Sequence, residues 1–309
     1  MRKARLRARL FSRKGVGMKM NDYLARVLDG KEFLLFDGAM GTMLQSGGLK
    51  PGELPDLLCL TNPELVTSVH AAYVEAGSQV VTTNTFGANR LKLEGKADVA
   101  DVFAAAVECA RAAGARYVAA DMGPTGELMD PYGDLEYEEA YEIYAEQARA
   151  AEAAGADIII VETMADVTEA EAAVRAAVDN TQLPVFATMT FGEHGRTLMG
   201  TAPAEAAEEL ESYGASAIGA NCSQGPIEIA PIIDEMLKAT DKPVIVQANA
   251  GMPTLIDGVT GYLIDVDEYV EAVQKIINAG ASIVGGCCGT NPDFIRGLAQ
   301  LVAEKTPAR

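Results

Sequence analysis

Apolar residues along this chain come in short continuous blocks, and most blocks are preceded by one recurring local pattern. A helix end rich in small residues gives way to a glycine, then a small or polar residue or two, then an apolar run. The pattern appears as EAGSQVV (75–81), AAGARYV (112–118), AAGADII (153–159), SYGASAI (212–218) and NAGASIV (278–284). Glycine just past a helix, followed at once by a β-rich run, is a helix C-cap turning directly into a strand. Two further runs follow proline, in LPVFATMT (183–190) and KPVIVQAN (242–249), and EFLLFDG (32–38) supplies the first, which makes eight strands.

Helical spacing fills the intervals. Ala140, Ile143, Tyr144, Ala148 and Ala151 fall on one helical face, as do Val270, Val273, Ile276 and Ile277. The strands are continuously apolar rather than alternating, as expected when helices cover both faces of a parallel sheet. Eight β/α units at intervals of roughly 30–45 residues predict the α/β class and a single eightfold β/α (TIM) barrel. A doubly wound open sheet is the alternative, but it rarely needs eight such evenly repeated units. Helix-to-strand turns are short, whereas the strand-to-helix segments 38–61, 122–136 and 250–266 are long. Long loops therefore gather on the C-terminal face, where barrel active sites lie.

The residues ending the strands are Asp37, Asn84, Asp121, Glu162, Thr190, Cys222, Asn249 and Cys287. All are polar or able to bind a metal, which a purely structural barrel does not require. Cys222 sits in GANCSQGP after the sixth strand, and Cys287 with Cys288 sits in GGCCGT after the eighth. Vicinal cysteines point to opposite faces of a strand, so they converge only where the strand has ended and the backbone bends. Gly285, Gly286 and Gly289 give that freedom. The sixth and eighth strands of a barrel share one neighbour, so three sulfurs can meet above the core, and three thiolates with an open fourth position suit zinc. Spacing alone leaves other readings open: Cys287 and Cys288 as buried small residues or a vicinal disulfide, and Cys222 as a packing residue. Cys59 and Cys109 have no partners nearby in sequence and read as structural free thiols. His70, on a helix, reads as a surface or packing residue, and His194 belongs to no motif. HExxH, P-loop and GxSxG signatures are absent, and the glycines of DGAMGT (37–42) lack the lysine of a phosphate loop.

Charge divides the chain unevenly. Of 309 residues, 25 are basic and 44 acidic, but the first 19 hold eight of the basic side chains and no acid. The rest carries a net charge of −27, which repels phosphate backbones and argues against nucleic-acid binding. Residues 1–20 are set apart as a basic leader and 21–309 as the barrel. The leader, MRKARLRARLFSRKGVG with its following residues, reads as a disordered or mis-assigned extension, an electrostatic contact for an acidic partner, or a targeting segment. No apolar run approaches a membrane span or a secretory core, and five cysteines without such a signal imply a reducing, cytoplasmic setting.

Taken together, LLFDGAMGTMLQ, TNTFGANRLKL, DMGPTGELM, VETMADVTEAEAAV, GANCSQGP, QANAGMP and GGCCGTNPDFI resemble the homocysteine S-methyltransferase family. The resemblance runs in order over about residues 30–305, and it is strongest to the homocysteine-binding module of cobalamin-dependent methionine synthases. It implies that Cys222, Cys287 and Cys288 bind Zn2+ and that the sulfur of homocysteine takes the fourth position. Asp37, backbone groups around Gly38 and Ala39, and Glu162 are implied to hold the amino and carboxylate ends of the substrate. Asn84 and Asp121 are implied to shape the pocket, and Asn249 to occupy the metal's fourth position without substrate.

The implied reaction makes methionine by methyl transfer to homocysteine, with a methyl-corrinoid as external donor, free or carried on a separate corrinoid protein. S-methylmethionine or betaine as donor, another thiol or selenol as acceptor, and a non-catalytic homocysteine- and zinc-binding subunit are the alternatives. A thiolate is the nucleophile, and a metal deprotonates a thiol without a general base, which suits a chain with two histidines. An anionic reactive centre in an acidic body further predicts that a protein donor presents a basic or neutral surface.

Overall fold

The computed structural model describes residues 21–307, except positions 51, 193, 223, 253, 257 and 258. The basic leader lies outside the described residues. Eight strands form one sheet: β1 (Leu34–Leu35), β2 (Val80–Thr82), β3 (Tyr117–Met122), β4 (Ile158–Met164), β5 (Val185–Met189), β6 (Ala217–Cys222), β7 (Val244–Ala248) and β8 (Ile283–Gly286). All ladders are parallel, in the order β1-β8-β7-β6-β5-β4-β3-β2.

The two outer strands of that order meet across a seam held largely by side chains. Gln79 N donates to Leu35 O at 2.9 Å, and the Gln79 Oε1 accepts from Leu35 N at 3.0 Å. One turn higher, the Asp37 carboxylate accepts from the Thr82 N–H at 2.8 Å and its hydroxyl at 2.9 Å. The sheet thereby curls into the expected β/α barrel. The first strand keeps two ladder residues of the run read from sequence, while Phe36 N still donates to Val284 O at 2.8 Å and Asp37 O accepts from Gly286 N at 2.9 Å.

Alternate residues of each strand face different cores, which explains the unbroken apolar runs. Ile158 and Ile160 join Phe36, Phe186, Ile245 and Ile283 inside the barrel, whereas Ile159 and Val161 pack outward against the helices. The helical face read at 140–151 is fully buried in that outer layer.

A barrel interior also needs a floor at the N-terminal end of its strands. Helix Asp22–Leu28 forms it, capped by Asn21, whose side-chain oxygen accepts from Tyr23 N and Leu24 N. Leu24 and Val27 enter the inner cluster, and Tyr23 stacks on Tyr117 at 6.1 Å. At the opposite end the long loops carry structure of their own. Helices Met40–Ser46 and Leu58–Thr61 lie within 38–61, and an antiparallel hairpin, Thr254–Ile256 with Val259–Gly261, lies within 250–266. Among the described residues, no helix is long and apolar enough to cross a membrane.

Removing the floor contact by Leu24→Ala is expected to cost about 2–4 kcal/mol of stability in urea unfolding, as for other core truncations. A loss below about 1 kcal/mol would show that the helix is not part of the inner core.

Candidate functional site

Three sulfurs come together because three strand ends share one level. Cys222 of β6 and Gly286 of β8 both register with Ala248 of β7. Beyond Gly286 the chain turns: Cys287 N donates to Ala248 O at 2.8 Å, and Thr290 N closes the turn on Cys287 O at 3.1 Å. Gly289 takes φ +81°, and the face where a Cβ would project is filled by the ring of Tyr262, so only glycine fits. On the other side Cys222 itself has φ +61°, an uncommon conformation for a residue with a Cβ, which swings its side chain off the strand's alternation. Its neighbour Asn221 anchors the bend. The Asn221 side-chain oxygen accepts from Thr163 N and the Thr188 hydroxyl, and its amide donates to the Thr163 hydroxyl, each at 2.8–2.9 Å.

The three sulfurs lie within 4.8 Å of one another, and Cys222 and Cys288 are 3.8 Å apart. A tetrahedron with a metal about 2.3 Å from each sulfur has edges of about 3.8 Å. The cluster therefore has the dimensions of one face of a tetrahedral thiolate site, with the fourth direction open to a cleft. Hydrogen bonds from the Cys222 and Cys287 thiols pull Cys288 down to about 3, and the Tyr262 hydroxyl also donates to it. The same thiol–thiol bonds hold Cys287 well above its ordinary value.

The cleft has a volume of about 520 Å³, a size suited to a small substrate. All three cysteines line it, with the loop from Asp37 to Thr42, the carboxyls of Asp56, Asp121 and Glu162, Gln247 and Lys92. Thr290 joins the cysteine turn to the first loop: its hydroxyl accepts from Ala39 N at 3.2 Å and donates to Cys287 O at 2.8 Å. Burial pushes Glu162 up to about 8, helped by the charges of Asp37 and Cys288. Asp121 is held well above the carboxylate range by burial and by Glu162, Asp56 and Asp37, with Lys92 opposing. The buried Oδ1 of Asp121 and Oε1 of Gln247 lack hydrogen-bond partners among the described residues. An acidic, partly unsatisfied wall of this kind is suited to receive an ammonium group.

The homocysteine S-methyltransferase family model matches residues 34–302, nearly the whole barrel. The chain belongs to the homocysteine S-methyltransferase family. It is 36% identical over 292 residues to a methionine synthase of Mycobacterium leprae and 37% identical over 298 residues to one of Mycobacterium tuberculosis. These alignments cover 87% and 88% of this chain but only 24% and 25% of the relatives, so the chain spans about a quarter of their length. Among solved structures, the metallated form of the homocysteine methyltransferase MmuM from Escherichia coli superposes with a TM-score of 0.76 at 25% identity. That alignment covers 90% of this chain and 99% of that one.

As a homocysteine S-methyltransferase family member, the chain places the residues expected from sequence unequally. Asp37, Gly38, Ala39, Asn84, Asp121 and Glu162 line the cleft with the cysteines. Both Asp37 oxygens already bond Thr82, and the Asn84 amide holds Pro55 O at 2.7 Å. Asn249 is not among the cleft-lining residues, and its buried Oδ1 lacks a partner among the described residues. Thr82, Asn221, Gln247 and Thr290 were missed, although a polar residue inside an apolar strand was the available signal for the first three. His70 is wholly buried and burial lowers it to about 4, which resolves it as a packing residue rather than a surface one. Cys59 and Cys109 are buried, and each donates its thiol to a backbone carbonyl, Asn84 O at 3.6 Å and Pro63 O at 3.7 Å.

Asp37 supplies a pH test. Burial raises it from 3.8 to about 7 despite the Thr82 bonds. The folded chain thus keeps a proton that the unfolded chain releases, and stability falls as pH rises between those values, by at most about 1.4 kcal/mol per pH unit. Urea midpoints of the metal-free protein should fall over this window, and Asp37→Asn should flatten the slope. A midpoint that climbs with pH, unchanged in the variant, contradicts the assignment.

Proposed function

We propose that this chain transfers a methyl group to the thiolate of homocysteine, giving methionine, at a zinc ion held by Cys222, Cys287 and Cys288. The observation that carries the reading is the 3.8 Å sulfur spacing at the head of an acidic cleft. Three soft sulfur donors with one open direction fit zinc, and zinc when bound keeps a fourth, substrate sulfur deprotonated at neutral pH.

The chain's own groups supply orientation. Glu162, Asp121 and Gln247 offer acceptors to the substrate's ammonium, whose charge offsets the cost of ionising buried carboxyls. Backbone groups around Gly38 and Ala39 take the carboxylate end, and Thr290 keeps that loop in register with the cysteine turn. The substrate sulfur is thereby aimed outward along the cleft. Its lone pair forms the new S–C bond as the methyl carbon leaves the donor, and the thiol proton passes to solvent. Fixing the acceptor in this way removes much of the entropic barrier of an in-line displacement. Asn249 is proposed to reach the open position when substrate is absent, which its buried oxygen, without a partner among the described residues, supports.

A methyl-corrinoid is the proposed donor, free or on a separate protein with a basic or neutral docking surface. The similarity to methionine synthases supports this choice. A reducing, cytoplasmic setting is proposed with it, since the reaction requires free thiols.

Cys222→Ala is expected to abolish both the binding of about one zinc per chain and turnover. Zinc content is read by elemental analysis, and methionine formation by chromatography. A metal-free protein that still methylates homocysteine overturns the reading. A matrix of donors and acceptors on zinc-loaded protein tests the rest. Methylcobalamin with homocysteine should react, whereas turnover confined to S-methylmethionine or betaine overturns the donor, and preference for another thiol or selenol overturns the acceptor. Homocysteine binding without turnover from any donor would make the chain a binding subunit.

A further inference from the structure

Among the described residues that line the cleft, Phe86 is the one aromatic and Lys92 the one base, and they lie together. The Lys92 ammonium sits over the Phe86 ring, 5.6 Å from its centroid. Phe86 is fixed by Gly123, where a Cβ would meet the ring at 2.6 Å and whose N–H donates to Phe86 O at 3.1 Å. The ring remains 39% exposed, so it stands where the cleft opens to solvent.

Lys92 is held along its whole length. Asn89 caps its short helix, Arg90–Leu93, accepting from the Leu91 and Lys92 N–H groups at 3.0 Å. The stem lies against Gly126, where φ is +94° and a Cβ would come within 3.0 Å of Cε, so the close approach needs glycine. The ammonium donates to Pro124 O at 2.8 Å. Buried Glu169 anchors that turn, accepting from Thr125 N at 2.7 Å and from its hydroxyl at 2.6 Å.

We propose that Lys92 fills the one cation-binding aromatic face of the cleft and thereby excludes sulfonium and quaternary ammonium methyl donors. The inference rests on the methyl transfer proposed above and deepens its choice of donor. An onium donor carries its charge on the atom that bears the methyl group. As the new S–C bond to the thiolate forms, the donor's own C–S or C–N bond breaks, and a neutral thioether or tertiary amine centre leaves. Before that step the onium needs an aromatic face or an anion to hold it. A cleft walled by carboxyls attracts every small cation, so discrimination among donors calls for a repulsive element, and an ammonium fixed over the ring is one. A corrin macrocycle does not need the ring, because it exceeds a cleft of about 520 Å³ and reaches in with its methyl group alone.

The test compares zinc-loaded wild type, Lys92→Met, Lys92→Arg and the double variant Lys92→Met with Phe86→Leu. Tetramethylammonium binding is read by NMR titration, and methionine formed from homocysteine with S-methylmethionine or methylcobalamin by chromatography. Lys92→Met is expected to bind tetramethylammonium about tenfold more tightly than wild type, and to raise the ratio of S-methylmethionine to methylcobalamin turnover about tenfold. Lys92→Arg, which keeps a cation on the ring, should match the wild type, and the double variant should lose the gain. Unchanged binding in Lys92→Met overturns the inference whatever donor the enzyme uses. A gain that survives in the double variant comes from the lost charge alone and overturns the role of the ring. Tighter binding without a rise in the turnover ratio overturns donor exclusion. A wild type inert with methylcobalamin and homocysteine overturns the donor reading instead, and the binding comparison then decides by itself whether Lys92 fills the ring face.

Discussion

Everything chemical in this barrel depends on the register of three strands at Ala248. Cys222 and Gly286 flank it on either side, and its carbonyl accepts both the Cys287 N–H and the Tyr269 hydroxyl, at 2.8 and 3.0 Å. A slip of one residue in either ladder would turn inward-facing side chains outward and separate the sulfurs. Buried Tyr269 guards against it by also bonding Gly285 O at 3.1 Å, so one hydroxyl ties the ends of β7 and β8 together. The metal-sized triangle of sulfurs is thus a product of backbone hydrogen bonding, with Asn221 and Gly289 shaping the two bends that finish it.

The same closeness creates an electrostatic problem that the fold leaves partly unsolved. Thiols and carboxyls crowd a buried cleft, with Lys92 the only basic side chain among its described lining residues. Lys92 is itself committed to Pro124 O at 2.8 Å. The free protein responds by holding protons on Asp37, Asp121 and Glu162. Such a cleft is suited to cations, because a metal on the sulfur side or an ammonium on the carboxyl side would relieve repulsion already present. On the proposed function, affinity for the substrate and affinity for the metal are linked, since each relieves the same electrostatic repulsion.

Particular residues show how far the chain could be read before it was folded. Five glycine-led runs, two that follow proline and EFLLFDG located the eight strands, since a turn followed by a buried apolar run is a local event. The first two were read too long, to Gly38 and Asn84 rather than Leu35 and Thr82, where side-chain bonds between Asp37 and Thr82 and between Thr83 and Thr85 take over from the ladder. Cys222, Cys287 and Cys288 were legible because vicinal cysteines among glycines have few structural uses. Asn221, Thr82 and Thr290 were not, since each acts through a partner more than thirty residues away. Cys59 and Cys109 illustrate the same limit: fifty residues separate them in sequence, and only helix packing brings both to the wall of one cavity.

By itself, then, the sequence determined the periodic β/α architecture, the face that carries the long loops, and the three sulfurs that belong together. Those features follow from backbone preferences and residue chemistry acting over short spans. The tertiary structure decided which strands share a level, how the barrel seam closes and which carboxyls crowd the cleft. These depend on distances between segments remote in sequence, and such distances exist only once the strands have paired and the helices have packed.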